Sequence, residues 1–280
     1  MAKIIQYATE ASFFDGPFGG GAPWLSAGMG YLIVTDGGKL IAIDGGHEAD
    51  CAGFAALIEK LGGEVDTWIL THPHRDHYRA LRGICLDEAL LRKVKVGKIV
   101  YRFPESFIDD EGEPIDYALD HMNEIFARTG AERITPSEGD EIFADGLNIK
   151  FLCTPTDDGP TNCSPNDLSL IFTVSGGTGR AVFTGDADER SLEHVYKKYK
   201  DELKADVLQM PHHGLCDTGH RGFYGAVGAD TLLIPISKAG HRCMRSGIYG
   251  DRTDLICGME DGAEKVYLAY RGTTEIEIII

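Results

Sequence analysis

Hydrophobic residues in this chain recur with two periods, every second residue in some stretches and every third or fourth in others, and the switches between them mark out strands and helices. Residues 3–7 alternate as a strand. Residues 29–35 and 39–44 read as two more, joined by Asp36-Gly37-Gly38, a hairpin signal. Phe54, Leu57, Ile58 and Leu61 then recur at i, i+3, i+4 and i+7, which predicts an amphipathic helix ended by Gly62-Gly63. A strand over 65–70 follows, then helical stretches at 78–81 and 86–91, a strand over 98–102 and a long helix over 117–128 stopped by Gly130. From Ile134 onward strands dominate: 147–153 after an Asp145-Gly146 turn, 168–174, 180–184, 207–210, 231–236, 265–270 and 275–280, with helices over 189–199 and 223–227. Strands and helices in both halves, with no Ser- or Pro-rich linker between them, predict an α/β protein with helices packed on sheets, one domain over 1–280.

Composition narrows the class. With 280 residues and 43% apolar content the chain can fill a sizeable core. No apolar run approaches the ~20 residues that span a bilayer, and the stretch after Met1 lacks the apolar core of a signal peptide, so a cytoplasmic protein without membrane contact is expected. The seven cysteines are scattered and never spaced as C-x-x-C, which predicts reduced thiols. A net charge of −17 repels polyanions and disfavours nucleic acid as a partner. The cations between Arg75 and Lys98 are close in sequence, and a solvated face is the expected reading of that run. An aromatic, Gly-rich segment over 13–24 either lines a pocket or plugs the core.

The candidate chemistry concentrates in Thr71-His72-Pro73-His74-Arg75-Asp76-His77, three imidazoles and a carboxylate entered from an apolar strand and left through a helix. Side chains two apart, His72 and His74, can converge on one ion, while Asp76 and His77, offset by the turn, aim at a second. Three further short stretches carry ligand-type residues at strand ends: Asp44-Gly45-Gly46, Thr184-Gly185-Asp186 and Pro211-His212-His213-Gly214.

Together these motifs resemble the metallo-β-lactamase-fold superfamily, over most of the chain. With Asn166-Asp167-Leu168-Ser169-Leu170 they resemble the branch containing the soluble domain of bacterial DNA-uptake channel proteins and the phosphorylcholine esterases. The resemblance implies a four-layer αβ/βα sandwich, two central mixed sheets flanked by helices, with a metal site at their common edge. It implies two divalent ions, zinc first and manganese or iron as alternatives. Their ligands would be His72, His74, Asp76 and His77, with Asp186 bridging and one of His212 and His213 completing the second site; Asp44 would orient a ligand histidine. Adjacent residues in an extended chain point oppositely, and His213 is preferred as the ligand, leaving His212 to bond a substrate oxygen. Where the family commonly has a third histidine at the first site, this chain offers Asn166 or Asp167, a harder donor that tilts the site towards manganese or iron; Cys163 is a weaker candidate. His241 is expected at the rim, in contact with substrate.

The reaction implied is hydrolysis of a small phosphodiester, ester, lactone or amide, with a metal-activated water and with Asp76 orienting it and accepting its proton. The alternative is a DNA- or RNA-cleaving nuclease of the DNA-uptake branch. Only residues 187–211 lie between Asp186 and His212, too few for the inserted domain of β-CASP nucleases, which favours a small-molecule substrate.

Overall fold

The structure, a computed structural model, describes residues 2–16, 27–104, 116–155, 165–177, 179–215, 220–247 and 251–277. The first half begins as an antiparallel run, β1 (Lys3–Gln6), β2 (Gly30–Val34) and β3 (Leu40–Asp44). It continues in parallel through β4 (Glu64–Ile69), β5 (Lys95–Val100) and β6 (Glu132–Ile134). Parallel neighbours need a crossover, and helices appear where the parallel run begins: α1 (Cys51–Lys60), α2 (Arg75–Leu86) with α3 (Glu88–Leu91), and α4 (Asp116–Thr129).

The second half repeats this plan. Four antiparallel strands, β7 (Glu141–Ala144), β8 (Leu147–Cys153), β9 (Ile171–Gly176) and β10 (Gly179–Phe183), lead into parallel β11 (Val207–Gln209), β12 (Thr231–Ile234) and β13 (Lys265–Leu268). Its helices are α5 (Glu189–Tyr199), α6 (Arg221–Val227), α7 (Lys238–Arg245) and α8 (Asp251–Gly262). A last strand, β14 (Thr274–Glu277), crosses back to pair antiparallel with β1, so each sheet has seven strands.

Alternation within the strands decides which side chains meet. Tyr31, Ile33, Ile43, Phe151, Phe172 and Phe183 form the layer between the sheets, all essentially without solvent contact. The opposite faces of the strands bury their side chains under helices, Trp68 with Phe54 and Leu81 on one side, Leu208 with Leu192 and Phe223 on the other. Each such large side chain contributes about 1.5–3 kcal/mol when taken out of water. The result is the expected sandwich of two mixed sheets between helical layers.

Some elements depart from that expectation. The strand expected from 168 starts at Ile171, because Pro165–Leu168 closes a short helical turn in which the Ser169 N–H donates to the Asn166 carbonyl. α7 was not expected from periodicity, yet Ser237 caps it, its Oγ accepting the Gly240 N–H at 2.9 Å. α8, over 251–262, was likewise not among the elements read from the periodicity. No helix among the described residues is long and apolar enough to cross a membrane.

Candidate metal centre

The C-terminal ends of β3, β4, β10, β11 and β12 come together at one edge of the sandwich, the place where parallel strands present loops to a ligand. Asp44, the last residue of β3, has a left-handed backbone (φ 53°), a conformation Asp tolerates better than most residues. Its buried carboxylate accepts hydrogen bonds at 2.8 Å from the Thr71 N–H and from the Thr71 hydroxyl. The same carboxylate meets His77 Nδ1 at 2.8 Å, and the Asp44 carbonyl accepts the Trp68 indole N–H at 2.7 Å. With Nδ1 donating to Asp44, His77 turns the lone pair of Nε2 inward. His74 is the N-cap residue of α2, so Asp76 falls in the first helical turn, where the helix dipole favours its charge.

Asp186 is delivered by the turn after β10, and that turn hangs on Gln209. The Gln209 Oε1 accepts the Thr184 and Gly185 N–H groups at 2.8 and 2.9 Å, and its Nε2 donates to the Gly185 carbonyl at 3.1 Å. Ser169 Oγ accepts the Asp186 N–H at 3.0 Å. Gly185 is left-handed (φ 56°), and a Cβ there would lie 2.9 Å from both Ser169 Oγ and Thr71 Cβ. The sequence analysis did not single out Gln209. The signal was an amide within an otherwise apolar strand, which must find partners once buried. Gln209→Ala strands the Thr184 and Gly185 N–H groups and should cost about 2 kcal/mol or more. The expected observations are a lower thermal midpoint and weaker retention of metal, read by calorimetry and by metal content after dialysis.

The paired histidines lie on a kink. His212 (φ 46°), His213 (φ 55°) and Gly214 (φ 71°) are all left-handed, where an extended chain was expected. The two non-glycine positions cost roughly 1–3 kcal/mol each. The kink drives His213 inward: its Nδ1 donates to the Pro235 carbonyl at 2.8 Å, and its Nε2 faces Asp76 Oδ2 at 3.1 Å and Asp186 Oδ2 at 3.3 Å. His212 stays outside this group, its Nε2 lying 3.4 Å from Asn166 Nδ2.

Two ligand sets result. Asp76, His77, Asp186 and His213 form one; His72, His74 and Asp186 form the other. Asp186 Oδ2 is common to both, 3.2 Å from His77 Nε2 and 3.8 Å from His72 Nε2, while His72 Nε2 and His74 Nδ1 stand 2.9 Å apart. Tetrahedral ligands held ~2.0–2.1 Å from a cation are about 3.3–3.4 Å from one another. The spacings of 3.1–3.3 Å around His213 Nε2, and 3.2 and 3.8 Å around His77 Nε2, bracket that value. His77 Nε2, His213 Nε2 and Asp186 Oδ1 are buried without a hydrogen-bond partner, so these groups converge on a point rather than on each other. The donor set therefore suits divalent cations.

The electrostatics agree. Burial is the largest influence on every group here. In His72 and His74 it prevails, aided in His72 by His77, and keeps both imidazoles neutral, the form that binds metal. Among the other four it is outweighed. The His77 and His213 charges hold Asp76 and Asp186 below the usual carboxylate range, and the carboxylates raise His77 well above its ordinary value and His213 to about 10. The buried carboxylates thus demand positive charge, from protons or from cations.

Residues 25–157, which hold Asp44 and the whole 72–77 string, match the metallo-beta-lactamase superfamily. The matched segment is just under half of the chain, and it is to this superfamily that the chain is similar. Its metallo-β-lactamase fold extends beyond the matched segment: the metallo-beta-lactamase fold protein YhfI of Bacillus subtilis aligns with 98% of this chain and 100% of its own, at a TM-score of 0.56 and 14% identity. Zn(2+)-bound PqqB of Methylobacterium extorquens aligns with 99% of this chain and 100% of its own, at a TM-score of 0.56 and 10% identity. In sequence, the competence protein ComA of Neisseria gonorrhoeae is 28% identical over 128 residues, 42% of this chain, and the match spans only 18% of that protein's length. This relative fits the resemblance to the DNA-uptake branch.

Other candidates sit apart from the converging ligands of this metallo-β-lactamase fold. His241 has both ring nitrogens engaged, Nε2 with Glu260 at 2.9 Å and Nδ1 with the Tyr270 hydroxyl at 3.1 Å, which ties α7 to α8. Asn166 is buried beside His212. Asp167 accepts from the Ser191 hydroxyl at 3.1 Å, and Asp188 caps α5 through the Arg190 N–H at 2.9 Å. Cys163 and residues 17–24 of the aromatic segment lie outside the described residues; the five cysteines within them are free thiols.

Proposed function

We propose that this chain is a metal-dependent hydrolase that holds two divalent cations and acts on a small phosphodiester, ester, lactone or amide. The observation that carries this reading is the position of Asp186 Oδ2 within reach of both ligand sets. Bound there, such a pair of cations supplies an activated water near neutral pH and polarises a carbonyl or phosphoryl oxygen.

The chain's own groups do the rest. Asp76 stays ionised and buried at the start of α2, in position to orient a water and accept its proton. His212, next to the ligand His213 but outside the ligand set, is placed to bond a substrate oxygen, with Asn166 fixing its ring. Nitrogen-rich ligand sets favour zinc; an Asn166 oxygen added to the first set would bring manganese or iron into range. The test is metal analysis of protein purified without added ions, followed by a panel of chromogenic phosphodiesters, esters, lactones and β-lactams. Substoichiometric metal, or no turnover with full occupancy, would sink the proposal.

A second reading, nucleic-acid cleavage, draws on the similarity to a competence protein. The net charge of −17 opposes it. Single-stranded and duplex DNA should bind no tighter than ~10⁻⁴–10⁻⁶ M at physiological salt. Efficient metal-dependent cleavage under those conditions would reverse the ranking.

A further inference from the structure

Thr71 is held at three points before its hydroxyl is considered. Its N–H donates to Asp44 Oδ1 at 2.8 Å, its carbonyl accepts the Leu170 N–H at 2.9 Å, and Gly185 packs so near its Cβ that no further carbon fits between them. The turn is therefore pinned without the hydroxyl. Yet that hydroxyl is buried among three groups of the centre: Asp44 Oδ2 at 2.8 Å, His72 Nδ1 at 3.1 Å and His77 Nδ1 at 3.2 Å.

A hydroxyl has one proton to give and two lone pairs to offer. Asp44 is both the nearer acceptor and, as a carboxylate, the stronger one, so the proton goes to its Oδ2. Given to His72 instead, it would leave two buried acceptor oxygens facing each other at 2.8 Å. His72 Nδ1 must then donate to Thr71 Oγ1, which places a ring proton on Nδ1 and leaves Nε2 its lone pair, on the side where His74 Nδ1 lies at 2.9 Å and Asp186 Oδ2 at 3.8 Å. His77 needs no such help, because its Nδ1 reaches the same Asp44 oxygen directly at 2.8 Å.

We propose that Thr71 is a positioning residue that relays the Asp44 carboxylate to His72, so that one buried charge fixes the ligating tautomer in both ligand sets, directly at His77 and through a single hydroxyl at His72. The inference rests on the two-cation part of the proposed function and is independent of the reaction carried out. It makes the two sets unequal. Losing the hydroxyl unsettles the set of His72, His74 and Asp186 and spares that of Asp76, His77, Asp186 and His213.

Zinc titration of metal-free protein against a chromophoric chelator, with proton–nitrogen correlation spectra of the histidine rings taken before zinc is added, tests the relay. In the wild type His72 should carry its proton on Nδ1. T71V keeps the branched shape of the side chain; it should bind one ion as the wild type does and the other about 10–100-fold more weakly, the usual cost of losing an orienting partner, with the His72 proton shifted in part to Nε2. T71S returns the hydroxyl and should return both the affinity and the tautomer. A wild-type His72 protonated on Nε2 alone would overturn the relay whatever the variants do. So would a T71V that binds both ions normally, an equal fall at both, or a T71S that behaves like T71V. The expected tautomer and affinities in protein that hydrolyses nothing in the panel would leave the relay standing and remove the hydrolase reading; turnover by protein whose His72 is protonated on Nε2 would do the reverse.

Discussion

Asp186→Asn should abolish hydrolysis and empty at least one metal position while leaving the fold in place. The substitution keeps the shape of the side chain and its N–H bond to Ser169, but it removes the one negative charge that both ligand sets share. Taking one partner from a buried charge pair leaves ~3–5 kcal/mol uncompensated, which corresponds to roughly a thousandfold loss of affinity at ~1.4 kcal/mol per decade. Metal content after equilibrium dialysis, set beside the circular dichroism of the same sample, makes the comparison. Full occupancy with unchanged turnover would show that Asp186 is not the bridge.

Asp44→Asn is expected to act more quietly, through a proton. Asn tolerates the left-handed backbone at this position and its oxygen can still accept the Thr71 N–H, so the fold should survive. Its amide nitrogen, however, would donate to His77 Nδ1 where the carboxylate now accepts. The imidazole proton must then move to Nε2, the atom that faces Asp76 and Asp186. A protonated Nε2 cannot ligate, and metal affinity should fall by about 10–100-fold, the usual cost of losing such an orienting group. An unchanged zinc affinity with an intact thermal midpoint would mean that Asp44 matters to the turn and not to the tautomer.

The parts of the centre that sequence revealed are those in which chemistry is local. Six consecutive residues from His72 to His77 carry four of the candidate ligands, so their closeness was legible without any long-range contact. Asp186 was readable because the Thr184-Gly185-Asp186 that ends its strand is one of the motifs that carry the family resemblance. What stayed hidden depends on contacts distant in sequence or on backbone angles. Nothing before Gly214 announces that two histidines will take a left-handed turn, since the strain is sustained by the Pro235 carbonyl and by Ile234, which leaves Gly214 no room for a Cβ. Gln209 gains its role only when β11 lies beside β10. α7 escaped because its buried side includes Ala239 and Gly240, too small to register as hydrophobic periodicity.

The two candidate ligand sets draw on both halves of the chain, His72 to His77 from the first and Asp186 and His213 from the second, and among the described residues no disulfide ties the two sheets. Any ion bound there is therefore a reversible cross-link between two layers that otherwise adhere by side-chain packing. Binding and inter-sheet cohesion become a single linked equilibrium: at a free ion concentration a hundred times Kd the sandwich gains about 2.7 kcal/mol against opening. By the same linkage, a cavity cut between the sheets at Phe172, which is not itself one of the candidate ligands, should register as weaker metal affinity wherever it favours the opened state.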